Sequence, residues 1–117
     1  MTVKPDCLTK ESIIEINKCF ENGALRDEGG LDFIIYNVSR TRGVNRKAAT
    51  LLTEIITKHP FVDGNKRTAI ESMKAFLDKY SKKITVKDNT LFDLIFRVTS
   101  RRYSINEAAT WIANHIK

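Results

Sequence analysis

Cysteine is scarce in this chain of 117 residues: there are two, Cys7 and Cys19. Two thiols at that spacing form neither a disulfide framework nor a usual metal-ligand pair. Both are read as ordinary thiols of a reducing cytoplasm. Glycine (5) and proline (2) are also few, which excludes collagen-like and linker-like chains. No apolar run approaches the ~18–20 residues of a membrane span. The start, Met1-Thr2-Val3-Lys4-Pro5-Asp6, lacks the apolar stretch of a secretory signal. A membrane partner is therefore not expected and a cytoplasmic location is. Repeats and low-complexity tracts are missing too, and the length suits a single domain over residues 1–117.

Apolar side chains, by contrast, make up 42% of the chain and charged ones 29%. That is enough apolar surface to offset the entropy of ordering, so a folded globule is expected. Lys and Arg (20) exceed Asp and Glu (14), for a net charge of +6. The excess permits an anionic partner without naming one.

Apolar spacing is mostly helical. Thr9 can cap a first helix with Ile13, Ile16 and Phe20 on one face and Gly23 as its stop. The stretch 25–30 reads as a turn. Residues 31–38 could be a strand or a short helix; helix is preferred, with Asp32 as its cap. Asn45 can cap a third helix bearing Ala48, Leu51, Leu52, Ile55 and Ile56, which Pro60 would end. A fourth runs from about Asn65 to Tyr80. Ile84-Thr85-Val86 reads as extended, and Asp88 or Asn89 can cap a fifth helix. Ser104-Ile105-Asn106-Glu107 is a capping box that opens the last. The prediction is an all-α bundle of about six helices.

Chemistry concentrates in His59-Pro60-Phe61-Val62-Asp63-Gly64-Asn65-Lys66-Arg67, where one helix gives way to the next. The first turn of a helix has N–H groups without intrahelical partners at the positive end of its dipole. Gly64 before it would let an anion approach the backbone, so the turn can cradle phosphate. Lys66 and Arg67 add charge there, and the Asn65 amide can donate to a further phosphate oxygen. Asp63 is a hard oxygen ligand suited to Mg²⁺ held jointly with substrate phosphates. His59 can take a proton near neutral pH, as an attacking hydroxyl requires. Phe61, apolar among polar neighbours, would anchor the loop in the core.

Each residue alone has a plain structural explanation. A histidine can cap a helix end, Asp-Gly is a common turn, and Lys66 and Arg67 could be a solvated face. Together, that all of these hold at once within nine residues is hard to credit.

The stretch resembles the signature of the Fic/Doc superfamily, His-x-Phe-x-Asp/Glu-Gly-Asn-x-Arg. The form Asp63-Gly64-Asn65-Lys66-Arg67-Thr68-Ala69 is similar to the death-on-curing (Doc) branch. The element Leu25-Arg26-Asp27-Glu28-Gly29-Gly30-Leu31 and the helix leading into His59 also fit. The resemblance implies a Fic-type helical fold, with transfer of a phosphate-containing group from ATP, as co-substrate, to a protein hydroxyl. It implies His59 as base, Asp63 as the Mg²⁺ ligand, and Gly64, Asn65, Lys66 and Arg67 as the phosphate loop. The loop around 39–46, with Arg40, Arg42 and Arg46, would border the groove that docks the target.

Two departures distinguish this chain from adenylyl-transferring Fic proteins. Lys66 stands where many have Gly, and Ile70 where they have a second Arg. In Doc-like proteins this pattern goes with phosphorylation, the best-described target being a threonine of translation elongation factor Tu. The resemblance thus implies a toxin-like kinase, with nucleotidylyl (AMP) transfer as the alternative. The self-inhibitory Ser/Thr-x-x-x-Glu-Gly/Asn pattern is not met: Asn17 and Ala24 precede Glu21 and Glu28 by four residues. Inhibition by an antitoxin protein in trans is expected instead. A rival of another class is a non-catalytic nucleic-acid-binding module, drawing on Arg40, Arg42, Arg46 and Lys47 with Arg97, Arg101 and Arg102. It leaves His59 and Asp63 unexplained, so nucleic acid is not the expected partner.

Overall fold

The structure, a computed structural model, describes residues 8–117; Cys7 lies outside the described residues. Six helices are present among them, in the order α1 (Lys10–Lys18), α2 (Glu28–Arg40), α3 (Val44–Lys58), α4 (Asn65–Asp78), α5 (Asp88–Thr99) and α6 (Ile105–His115). The fold is all-α. No helix among the described residues is long and apolar enough to cross a membrane.

Helix α3 is the axis on which the others pack, most extensively α4, α6 and α2. Its period places Ala48, Ala49, Leu51, Leu52, Ile55 and Ile56 in the core. Full burial of a side chain such as Leu or Ile is worth roughly 1.5–3 kcal/mol, so this one helix carries much of the packing energy. Facing it, α4 buries Ala69, Met73, Phe76 and Leu77, and α6 buries Ala108, Trp111 and Ile112.

Several helix starts differ from the expected ones. The segment 31–38 is helical, but α2 begins at Glu28 and its cap is Asp27, which accepts from Gly30 N–H at 2.9 Å. Asp32 lies inside the helix, and 28–30 is its first turn. A Cβ on Gly30 would sit 2.4 Å from Asp27 Oδ2, so the glycine makes room for the cap. Helix α3 starts from Gly43 at φ 91°, with Asn45 already helical. Helix α5 starts from Lys87, with Asp88 as its first residue and no side-chain cap.

Chain ends of two helices also move. Helix α1 stops at Lys18, before Gly23 turns the chain at φ 75°. Helix α4 stops at Asp78, where Lys82 N–H reaches back to Leu77 O at 3.0 Å around left-handed Ser81. The extended piece survives as a single antiparallel bridge between Ile84 and Ile116.

Candidate active site

The site forms where α3 stops and α4 starts. Helix α3 ends because His59 takes a left-handed backbone (φ 51°, ψ 61°) just before Pro60. Histidine is among the few non-glycine residues enriched in that conformation, which costs roughly 1–2 kcal/mol. The turn is gripped from outside. Arg26 Nη2 donates to Lys58 O at 2.6 Å and Arg26 Nε to His59 O at 2.7 Å. The backbone N–H groups of Arg26 and Asp27 both reach Pro60 O, at 2.8 and 3.0 Å. Val62 N–H meets Ala24 O at 3.0 Å, and Leu25 bridges Phe61. Residues 24–27 are thus a strap that satisfies the carbonyls of Lys58, His59 and Pro60 where α3 ends, while His59 stays exposed.

Phe61 is fully buried, with buried Pro60 before it and exposed Val62 and Asp63 after it. Asn65 clasps its backbone: Asn65 Oδ1 accepts from Phe61 N–H, and Asn65 Nδ2 donates to Phe61 O, both at 2.9 Å. The carboxamide closes the loop with its Oδ1 and one Nδ2 hydrogen; the second Nδ2 hydrogen and the main-chain N–H are the donors Asn65 could offer an anion.

Gly64 caps α4 at φ 77°. A Cβ there would lie 2.8 Å from Glu21 Cγ, 2.9 Å from Phe20 Cε2 and 3.2 Å from Asn17 Nδ2. Both conformation and space therefore require glycine. Asn17, only 1% exposed, is the buried link behind the loop. Its Nδ2 donates to Asp63 O at 3.0 Å and Thr68 Oγ1 at 2.9 Å, and its Oδ1 accepts from Gly23 N–H at 2.9 Å. The Asp63 main chain is fixed in this way while the residue as a whole stays exposed.

Lys66 and Arg67 occupy the exposed first turn of α4, which has no acid and no side-chain cap. Arg67 lies over the Phe20 ring at 5.1 Å, with Nε 3.9 Å from Glu71 Oε2. It lines a groove of about 540 Å³ together with Ile16, Phe20, Lys74, Lys82 and Ile84. Among the described residues no three His, Cys, Asp or Glu cluster as metal ligands. Asp63 would have to share a cation with ligand oxygens, which is how Mg²⁺ is usually held, so the donor set fits.

The three arginines 40, 42 and 46 are not gathered at this site. Arg46 Nη1 donates to Asn106 Oδ1, tying the start of α3 to α6. Neighbouring Lys47 caps the end of α2 through the carbonyls of Val38 (2.9 Å) and Ser39 (3.2 Å). Arg42 is exposed in the turn, and Arg40 folds back along α2 onto Tyr36. Asn17 and Arg26 are the site-shaping residues that spacing alone misses. Asn17 had a faint signal, an amide on the apolar face one turn after Ile13; Arg26 had only its place in the Leu25-to-Leu31 element that fits the family.

A histidine on a left-handed turn, a lone carboxylate and an uncapped helix start with two cations are thus brought together in one stretch of chain. The family model described as Fic/DOC family matches residues 7–77, more than half of the chain, and the chain belongs to that family. Among curated proteins nothing matches. Members of the family are generally transferases, acting by AMP transfer or phosphotransfer.

Proposed function

We propose that this chain is a Doc-like toxin that moves the γ-phosphate of ATP to a Ser, Thr or Tyr hydroxyl of a target protein, an elongation factor being the first to try. The carrying observation is the start of α4: two cations, no acid and no capping side chain, placed just beyond the loop that follows the left-handed turn presenting His59. The acceptor oxygen attacks Pγ while His59 takes its proton. The bond from Pγ to the β–γ bridging oxygen breaks, ADP leaves, and His59 returns the proton to water. Main-chain N–H groups of the first turn of α4, with Lys66 and Arg67, hold the phosphate oxygens. Asp63 would hold Mg²⁺, which when bound neutralises phosphate charge. The groove beside Arg67 has the size of a small-molecule site, with Phe20 and Ile84 as apolar surface for the nucleoside.

Phosphate rather than AMP transfer is favoured by Lys66 and Ile70. Ile70 packs against the core, so no second cation extends along α4 from that position. Gly64, which the AMP-transferring pattern shares, is accounted for by the crowding of Phe20 and Glu21 and does not argue for the alternative. Several of the basic residues that a nucleic-acid module would need are engaged internally, including Arg46, Lys47 and Arg97, the last paired with Asp93 at 2.9 Å. An antitoxin in trans is the proposed control. ATP labelled on either the α- or the γ-phosphate tests the reading: label on protein from the γ position alone is expected. Label from the α position alone would replace kinase by AMP transferase.

A further inference from the structure

Two of the large exposed apolar side chains stand side by side on α2: Phe33 (51% exposed) and Tyr36 (52%). Their rings stack at 6.5 Å. A cation sits against each ring. Lys58 Nζ lies 5.4 Å from the centre of Phe33, and Arg40 lies 5.5 Å from that of Tyr36, with Nη1 3.1 Å from the phenolic oxygen. The four side chains form a ladder, Lys58–Phe33–Tyr36–Arg40. It begins at the residue next to His59 and runs away from it along α2. The core does not need these rings, since α2 buries Leu31, Ile34 and Val38 on its other face.

Charge around the ladder is predominantly positive, with Lys58, Arg40 and Arg42 against Glu54. The acids of α2, Glu28 and Asp32, are drawn to Lys10 at 2.7 and 3.1 Å. Glu54 is the acid nearest the ladder; it accepts from Asn37 Nδ2 at 2.7 Å and lies 3.7 Å from Lys58. Arg40 meets a ring and a hydroxyl, and Arg42 follows it in the exposed turn. Exposed aromatic faces flanked by cations suit a partner that offers apolar side chains between carboxylates.

We infer that the ladder is the docking surface for an acidic, aromatic-bearing segment of the acceptor protein, seated so that a hydroxyl further along the segment reaches His59. In assigning the segment to the acceptor, the inference rests on the transfer reading above. Its test does not, because docking can be measured without ATP. The probe is a fluorescent peptide of Asp, Glu and Phe around one Thr, and its control carries Lys and Arg in place of the acids. Anisotropy with the full chain should show binding of the acidic peptide, weakened by added salt, and none of the control. The double variant Phe33→Ala/Tyr36→Ala should weaken binding about tenfold or more, as loss of central aromatic contacts does. Lys58→Glu should weaken it as well. Both rings are half exposed, so circular dichroism of the variants should match that of the parent chain. Equal binding of both peptides, no binding of the acidic one, or binding untouched by the variants would overturn the inference. So would a thymidine oligonucleotide binding at the ladder where the acidic peptide does not. A chain that docks the peptide yet labels no protein would instead count against the transfer reading alone.

Discussion

Helices α4 and α6 begin in opposite ways. At α6 the first turn is closed by its own side chains: Ser104 Oγ accepts from Glu107 N–H at 3.2 Å, and Glu107 Oε1 accepts from Ser104 N–H at 2.9 Å. An acid thus stands at the positive end of the dipole. At α4 the cap is a left-handed glycine, no side chain takes the free amides, and the charges in the first turn are Lys66 and Arg67. By local rules α4 starts badly: it forgoes a cap worth about 1 kcal/mol and places cations against its dipole. The deficit is offset elsewhere, by the Asn65 clasp, by Asn17 behind the loop and by the strap at residues 24–27. A helix start held open by tertiary contacts can serve an external anion, whereas a start closed by its own sequence serves only the fold.

The largest expected effect that could break this contrast is on activity. His59→Ala should reduce protein labelling by about 10²–10⁴-fold with at most a small drop in melting temperature, because the residue is exposed and alanine only suits its left-handed backbone less well. Full activity in that variant would remove the base from the scheme. Gly64→Ala should destabilise the chain by roughly 1–2 kcal/mol or more from the left-handed backbone alone, read as a lower urea midpoint. A neutral result would mean that the turn leaves the left-handed conformation when a Cβ is added and that Phe20 and Glu21 yield as well. Ser104→Ala should cost about 1 kcal/mol and leave labelling unchanged. Lys66→Glu gives α4 the acid that α6 has, so stability should rise by about 0.3–1 kcal/mol while transfer falls. A variant gaining both would show that Lys66 plays no part in the chemistry.

The smallest effect concerns pH. The Ser104 backbone N–H holds the Glu107 carboxyl below its ordinary value of 4.5. Its folded pKa therefore lies under the unfolded one. The charge of Glu107 stabilises fully above the unfolded value and is lost as pH falls through the folded one. The difference in melting temperature between the parent chain and Glu107→Gln should accordingly close on acidification. A constant difference from neutral to acid would show that the charge is not what matters.

What could be read in advance follows from which rules are local. Periodicity gives the bodies of α1, α3, α4, α5 and α6 but not all of their ends, and the capping box of α6 stands where Ser104 and Glu107 place it. The starts of α2, α3 and α5 were misread because the nearest capping-type residue is not always the one that caps. Asp27 won over Asp32 since Gly30 leaves its carboxylate room. The nine-residue motif was visible because its members are neighbours. The bonds that shape it were not, since Arg26 reaches across 33 positions and Asn17 across 46. Nothing in local spacing encodes contacts that exist only once α1, the strap and the loop have met.

That distance in sequence has a consequence for when the site comes into being. Closing loops of such length carries an entropic cost that is recovered only when the packing around them is complete. The His59 turn should therefore be among the late events of folding. Its amides should exchange with solvent through the same cooperative opening as α1 and α4, and not through a private fluctuation. A nascent or partly melted chain can hold every residue of the motif and still lack their arrangement, so the transfer proposed for this site would begin only with folding itself.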